Sequence, residues 1–200
     1  MPRMRLDKML VVDVEQTCWD GEPPEGQSPE IIEIGVAEIV LDGARAAVGR
    51  RASHLVRPVR STVSEFCTAL TGIDAKMLKS RGRPLREVCN SIRKEFGGAN
   101  KTWMAWGRDD EDILRACAEA GAEPPFSGCF VDLGQMWASL TGAGKSVGLQ
   151  DALRGLGLEF DGTPHRADDD AYNTARVMAE MSTILRARLA LDAAPRGPAP

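Results

Sequence analysis

The sequence contains no Cys-x-x-Cys pair. Its five cysteines, Cys18, Cys67, Cys89, Cys117 and Cys129, are odd in number and scattered. That argues against a zinc site or a disulfide framework and predicts reduced thiols in a cytoplasm. No apolar run approaches the ~20 residues that a membrane-spanning helix needs. The stretch 1–8 leads into a strand pattern without the apolar centre of a signal peptide, so no membrane association is expected. A positive charge excess is also missing. The formal net charge of -4 does not advertise nucleic-acid binding, although a local basic surface and a metal suffice for an enzyme acting on it. Histidine is scarce, with only two in 200 residues. Neither an internal repeat nor an interior linker interrupts the chain.

What is present is the composition of a soluble globular protein, 43% hydrophobic and 27% charged. The length suits one domain, assigned to residues 1–191, with a Pro/Ala-rich tail at 192–200 expected to be disordered.

One stretch organises the rest: Met9-Leu10-Val11-Val12-Asp13-Val14-Glu15-Gln16-Thr17. It reads as a buried strand that ends in two carboxylates. Alternate side chains of a strand share a face, so Asp13 and Glu15 point one way and Leu10, Val12 and Val14 the other. Two acids on one face of a core strand repel each other and lose hydration, and a divalent cation with oxygen ligands is the natural compensation. A strand that ends in acids at the surface is the plainer alternative.

After a Gly/Pro-rich loop, residues 30–41 resume a strand pattern, Asp42-Gly43 signals a hairpin turn, and residues 44–56 return as an arginine-rich edge strand. Short helices are expected over 61–79, and Pro84 opens a clearer one with Leu85, Val88, Ile92 and Phe96 at helical spacing. A strand over 102–106, a helix over 109–121, a strand near 128–133, a helix over 147–156 capped by Ser146 and a last helix over 167–191 follow. A hairpin-rich front followed by alternating strand and helix predicts a mixed α/β sheet.

Two further acids are candidates for the same pocket. The last helix carries an apolar stripe that includes Val177, Met181, Ile184 and Leu185, and helical steps back from it bring Asp170, not Asp168 or Asp169, onto that face. In Asp109-Asp110-Glu111-Asp112, Asp110 shares a face with Ile113, Leu114, Cys117 and Ala118, so periodicity prefers Asp110 over its rival Asp109. Either lies just beyond a strand end, where sites in such sheets gather. His54 falls in the edge strand and is assigned a structural or solvated place. His165 lies in a loop five positions before Asp170, where an imidazole can serve as a general base.

With these residues placed, the chain resembles the DEDDh family of 3′–5′ exonucleases. Asp13-Val14-Glu15 matches the first motif, Trp106-Gly107-Arg108-Asp109-Asp110 the second, and His165 to Asp170 the third. Residues 13–18, 30–34, 56–59 and 64–73 are similar to the branch that degrades histone-mRNA ends and siRNA, and to its bacterial relatives.

The resemblance implies an RNase H-like fold, a mixed five-stranded sheet flanked by helices on both sides. It also implies two Mg²⁺ or Mn²⁺ ions that clamp the scissile phosphate. Carried over, Asp13, Glu15 and Asp170 hold the first ion, Asp13 bridges to the second, and Asp110 acts there directly or through water. His165 deprotonates the attacking water and a nucleoside 5′-monophosphate leaves the 3′ end. Thr17, Leu70, Ile73 and Trp106 match positions near the terminal nucleotide. Single-stranded RNA, DNA or short oligonucleotides are the expected partners. The alternative is a catalytically silent nucleic-acid- or partner-binding module on the same fold.

Two other signals are weighed lower. Gly142-Ala143-Gly144-Lys145-Ser146 ends like a phosphate-binding loop, but Ser139 stands where the first glycine belongs and a helix, not a strand, precedes it. Lys76, Lys79, Arg81, Arg83 and Arg86 form a basic run that is either a solvated face or a phosphate-tracking surface.

Overall fold

The alternation in the first apolar stretch decides how the sheet is covered. The computed structural model describes residues 5–42, 45–143, 145 and 147–193. Strand β1 (Arg5–Gln16) is the middle strand of a five-stranded sheet ordered β3-β2-β1-β4-β5, with β2 at Ile31–Asp42, β3 at Arg45–Leu55, β4 at Lys101–Ala105 and β5 at Phe130–Asp132. β1 pairs antiparallel with β2 and parallel with β4, and β5 extends the parallel side.

Leu10 and Val12 face one side, where they pack with Val88, Ile92 and Phe96 of α3 (Leu85–Phe96) and Ile113 and Cys117 of α4 (Asp109–Ala120). Val11 faces the other side. There it meets Leu133 of α5 (Leu133–Thr141) and Ala171 and Ala175 of α7 (Ala167–Ala193). Helices therefore cover both faces, and the mixed five-stranded sheet flanked by helices that the sequence predicts is the fold observed. α1 (Glu65–Thr71) and α2 (Ala75–Arg81) close one end of the hairpin through Cys67, Ile73 and Leu78, which pack on Ile32 and Leu55. α6 (Leu149–Gly155) packs on α7 through Leu153 and Val177.

Several boundaries differ from the sequence reading. α2 begins at Ala75, after Asp74 caps it by accepting from the Met77 N–H. α7 continues to Ala193, past the expected end near Leu191, and the remainder of the expected tail lies outside the described residues. Gly43 of the hairpin turn lies outside them too, as do Gly144 and Ser146; the helix expected to be capped by Ser146 has Gly148 at its N-cap. The stripe that buries α7 also differs. Ala167, Ala171, Thr174, Ala175 and Val177 are buried, whereas Ile184 and Leu185 are exposed. Small residues form the stripe because the helix lies close against the sheet.

That close approach is set by Gly35. It stands opposite Asp13 in the β1–β2 register, and a Cβ there would lie 2.0 Å from the backbone carbonyl carbon of Ala167. Backbone cannot move aside as a side chain can, so only glycine lets the start of α7 cross the sheet beside Asp13. Gly35→Ala is expected to destabilise the domain by at least ~1–3 kcal/mol, the usual range for forced overpacking. Urea denaturation measures it, and an unchanged midpoint would contradict this role.

Candidate active site

The parallel pairing of β1 and β4 brings their carboxyl ends side by side, and three elements deliver acids there. Asp13 and Glu15 come from β1, and the register shift after Glu15 marks where the strand leaves regular pairing. Asp170 comes from the first turn of α7. Each of the three offers a carboxylate oxygen, and these oxygens lie within 4.8 Å of one another.

The fourth acid comes from the junction after β4, where Gly107 takes a φ of 125° and turns the chain into α4. Of the two acids there, Asp109 carries a buried oxygen without a hydrogen-bond partner, whereas Asp110, which helical spacing prefers, is held by a neighbouring arginine. The Asp110 carboxylate receives Arg108 Nε at 2.8 Å and Nη2 at 3.0 Å, and the guanidinium holds it below the usual carboxylate range. Asp109 is instead near enough to Asp13 for its charge to act on it.

The periods of the helix explain the difference in burial between the two. Asp109 lies four and eight residues before Ile113 and Cys117, the two buried positions of α4. Leu114, which drew the inference toward Asp110, is 53% exposed. Asp110 borders a separate small hollow with Trp103, Ile113 and Phe130.

Burial and mutual repulsion push these acids upward. Asp13 is raised well above its ordinary value by burial, then by the charges of Asp109, Asp170, Glu15 and Glu33. Glu15 rises to about 8 through burial, then Asp170 and Glu33. Asp109 rises to about 7 through burial and the neighbouring Asp112 and Asp110. Asp170 rises to about 6 through burial, restrained by the backbone N–H groups of His165 and Arg166. One oxygen of Asp109 and one of Asp170 are buried without any hydrogen-bond partner. The carboxylate oxygens of Asp13, Glu15 and Asp170 converge at a spacing that fits a hard divalent cation, and these three are the residues that would hold it, with the charge of Asp109 acting on Asp13 from beside them.

Glu33, which sequence reading passed over, behaves oppositely. It is the cross-strand partner of Glu15 and fully buried. It accepts hydrogen bonds from Arg166 Nε at 3.2 Å and Nη2 at 2.8 Å, from the Ala167 N–H at 2.9 Å and from the Ser53 hydroxyl. Burial alone would raise it, but the Arg166 guanidinium and these other donors carry it below its ordinary value. Glu33 therefore clamps the N-terminus of α7 to β2. The available signal was its position: on the face of Glu15, inside a strand that is mostly apolar and carries one other buried acid, Glu38.

His165 is exposed at the lip, adjacent to Arg166, with a φ of 62° that non-glycine residues seldom adopt. Its loop is pinned by the Thr163 N–H to Asp169 at 2.9 Å and by Asn173, which exchanges hydrogen bonds with the Asp161 backbone. Asp169 in turn pairs with Arg51 at 2.9 Å. The other histidine, His54, is buried beside Glu95 and Phe96 of α3, away from the acids.

The expected nucleotide contacts separate. Thr17 is fully buried, accepts from the Glu30 N–H at 3.0 Å and braces the loop after β1. Ile73 is fully buried beneath α1 and α2. Trp106 donates its indole N–H to the Val147 carbonyl at 2.9 Å and packs near Trp137, where it braces β4 against the α5–α6 connection. Leu70 alone of the four presents an exposed side chain, and Phe66, one turn earlier on α1, is exposed with it. α1 is tied to the end of β1 by the Ser64 hydroxyl on the Cys18 carbonyl at 2.6 Å and the Cys67 thiol on the Gln16 carbonyl at 3.5 Å.

A family model described as Exonuclease (RNase T) matches residues 10–178. The chain belongs to this exonuclease family. It is 29% identical over 196 residues to the 3′–5′ exonuclease Snipper of Drosophila melanogaster, which covers 86% of this chain and 68% of that protein. It is 28% identical over 185 residues to human 3′–5′ exoribonuclease 1, covering 88% of this chain and 52% of the relative, so the exonuclease-family domain spans about half of that protein's length. The nuclease domain of 3′hExo, a DEDDh family member bound to rAMP, superposes with a TM-score of 0.75 at 25% identity over 90% of this chain and 94% of that one.

The raised carboxyls fix a pH dependence for the metal-free exonuclease-family domain. A folded-state pKa above the unfolded one means that the folded chain binds more protons across the interval, so stability is full below the unfolded pKa and is lost as pH rises through the folded one. For Glu15 that interval runs from 4.5 to about 8. Thermal unfolding in EDTA is expected to show a falling Tm across this interval, and Mn²⁺ is expected to restore it. Asp13→Asn should raise the metal-free Tm at the alkaline end and abolish the Mn²⁺ effect; a pH-independent difference between the two proteins would contradict the reading.

Proposed function

We propose that the domain is a metal-dependent 3′–5′ exonuclease that removes nucleoside 5′-monophosphates from single-stranded RNA, DNA or short oligonucleotides. The observation that carries this is the meeting of Asp13, Glu15 and Asp170 within 4.8 Å, with a partnerless buried oxygen on Asp109 nearby. Asp13, Glu15 and Asp170 are assigned to one Mg²⁺ or Mn²⁺ ion, and Asp13 with Asp109, in place of Asp110, to a second. The ions, when bound, supply neutralisation of the scissile phosphate and of the departing 3′-oxygen.

The chain's own residues do the rest. His165, held at the lip in its left-handed conformation, takes the proton of the water that attacks phosphorus. The clamp of Glu33 on Arg166 and Ala167 keeps that loop and Asp170 in one relation to β1. Leu70 and Phe66 offer an apolar surface on which the terminal base can rest.

The name exoribonuclease carried by the human relative supports RNA as substrate. The five cysteines are free, which supports a reducing compartment such as the cytoplasm. No helix among the described residues is long and apolar enough to cross a membrane.

The direct test is incubation with 5′-labelled single-stranded RNA and DNA in Mg²⁺ or Mn²⁺. Products should shorten from the 3′ end and vanish with EDTA or with Asp13→Ala, for which a loss of ~10³-fold or more is expected from removing several kcal/mol of charge stabilisation. Binding without shortening would instead favour a silent binding module. Asp109→Asn should inactivate far more severely than Asp110→Asn, and the reverse ranking would overturn the assignment made here. His165→Ala should lower turnover by ~10²–10⁴-fold while calorimetric Mn²⁺ binding persists; a wild-type rate would remove His165 from the chemistry.

A further inference from the structure

Most arginines and lysines among the described residues are already engaged. Arg50, Arg60, Arg93, Arg108, Arg115 and Arg154 pair with carboxylates. Arg51 and Arg166 are committed beside the acid pocket, and Lys8 and Lys101 converge on Glu38. Arg57, Arg86 and Arg176 bond backbone carbonyls, and Arg83 bonds Ser91. Against that background Lys76, Lys79 and Arg81 stand out. All three are exposed on one seven-residue helix, α2, and none has a hydrogen bond, ion pair or ring contact among the described residues. Among the described residues the others without such a partner lie apart: Arg45 on β3, Lys94 on α3 and Lys145 between α5 and α6.

Helix stability does not account for all three. Lys79 and Arg81 sit in the last turn, where cations suit the helix dipole. Lys76 sits in the first turn, where a cation opposes it, and Lys76 and Lys79 form a like-charge i,i+3 pair that costs rather than contributes. The inner side of α2 is fixed by Leu78, which packs with Cys67 and Ile73, so the cations face solvent. α2 continues directly from the Thr71–Asp74 turn at the end of α1. It thus follows the exposed Phe66 and Leu70, on the helix tied to the end of β1.

We infer that α2 is a phosphate track: Lys76, Lys79 and Arg81 hold the sugar–phosphate backbone of the substrate strand on the 5′ side of the nucleotide being removed. The inference rests on the exonuclease reading and deepens it, because it makes single strands of several nucleotides, rather than dinucleotides, the preferred substrate. Charge demands such a feature. The formal net charge is -4 and the pocket itself is lined by acids, so a polyanion reaching it needs local cations outside the pocket. Apolar side chains for a base followed by free cations for the backbone are the two components of a single-strand binding surface.

The test uses the full chain carrying Lys76→Gln, Lys79→Gln and Arg81→Gln together. Binding is measured by fluorescence anisotropy in an Asp13→Asn background, with Mg²⁺ and a fluorescein-labelled single-stranded RNA of ~20 nucleotides, longer than the ~4–16 nucleotides such surfaces cover. The triple variant should bind ~10-fold more weakly at low salt. Its plot of log K against log salt should be shallower by ~2, since each phosphate of a single strand that is no longer neutralised removes about 0.7 from the slope.

In the otherwise wild-type background, kcat/KM for the long RNA relative to a dinucleotide should fall by a similar factor, through KM. Removing Arg45 and Lys94 instead, by Arg45→Gln with Lys94→Gln, should leave the slope within ~0.5 of the parent. Unchanged affinity and slope in the triple variant would overturn the track. So would an equal loss on RNA and dinucleotide, or an equal effect from the Arg45/Lys94 pair. If the parent enzyme shortens neither substrate, the exonuclease reading fails, while the anisotropy comparison still decides whether α2 holds phosphates.

Discussion

The repulsion among carboxylates buried at the carboxyl ends of β1 and β4 is the constraint on which the structure turns. Asp13 and Glu15 share a face because a strand alternates, and α7 adds Asp170 within 4.8 Å of both. Asp109 adds a further charge that bears on Asp13. A fold does not keep such a group for stability, since each member is pushed toward its protonated form and two oxygens lie buried without partners. The arrangement suits a divalent cation, and the family to which the chain belongs is one of exonucleases.

Glu15 and Glu33 show how finely the surroundings decide a carboxylate's task. They are register partners on adjacent strands, yet Glu15 is pushed up to about 8 and Glu33 is drawn down. Glu33 has a guanidinium, a hydroxyl and a helix N–H directed at it; Glu15 has other carboxylates. One is a clamp that fastens α7 to the sheet, and the other is left in need of a cation. Gly35 lies between these roles, since the same close crossing that lets Glu33 reach Ala167 requires that no Cβ intervene.

Much of this was legible in the sequence, and the failures are informative. The face shared by Asp13 and Glu15, the hairpin β2–β3 and the inward turn of Asp170 follow from periods of 2 and 3.6 read against apolar neighbours. The same logic prefers Asp110 by counting Leu114 as core, although Leu114 is exposed and an exposed leucine is ordinary. The stripe of α7 was misread through Ile184 and Leu185 for the same reason, while the alanines that carry the contact are quiet in any hydrophobicity pattern. Thr17 and Ile73 were expected beside the nucleotide, but their side chains are fully buried and support the site from below. Glu33 was missed because its donors come from β3 and α7, and such long-range pairing leaves no mark in local sequence.

A single measurement tests the convergence most directly: anomalous diffraction from crystals grown with Mn²⁺. A manganese peak bonded to carboxylate oxygens of Asp13, Glu15 and Asp170, with a second beside Asp13 and Asp109, is the predicted result. Active protein whose crystals place manganese elsewhere, or leave those four carboxylates turned apart with no metal between them, would contradict the account.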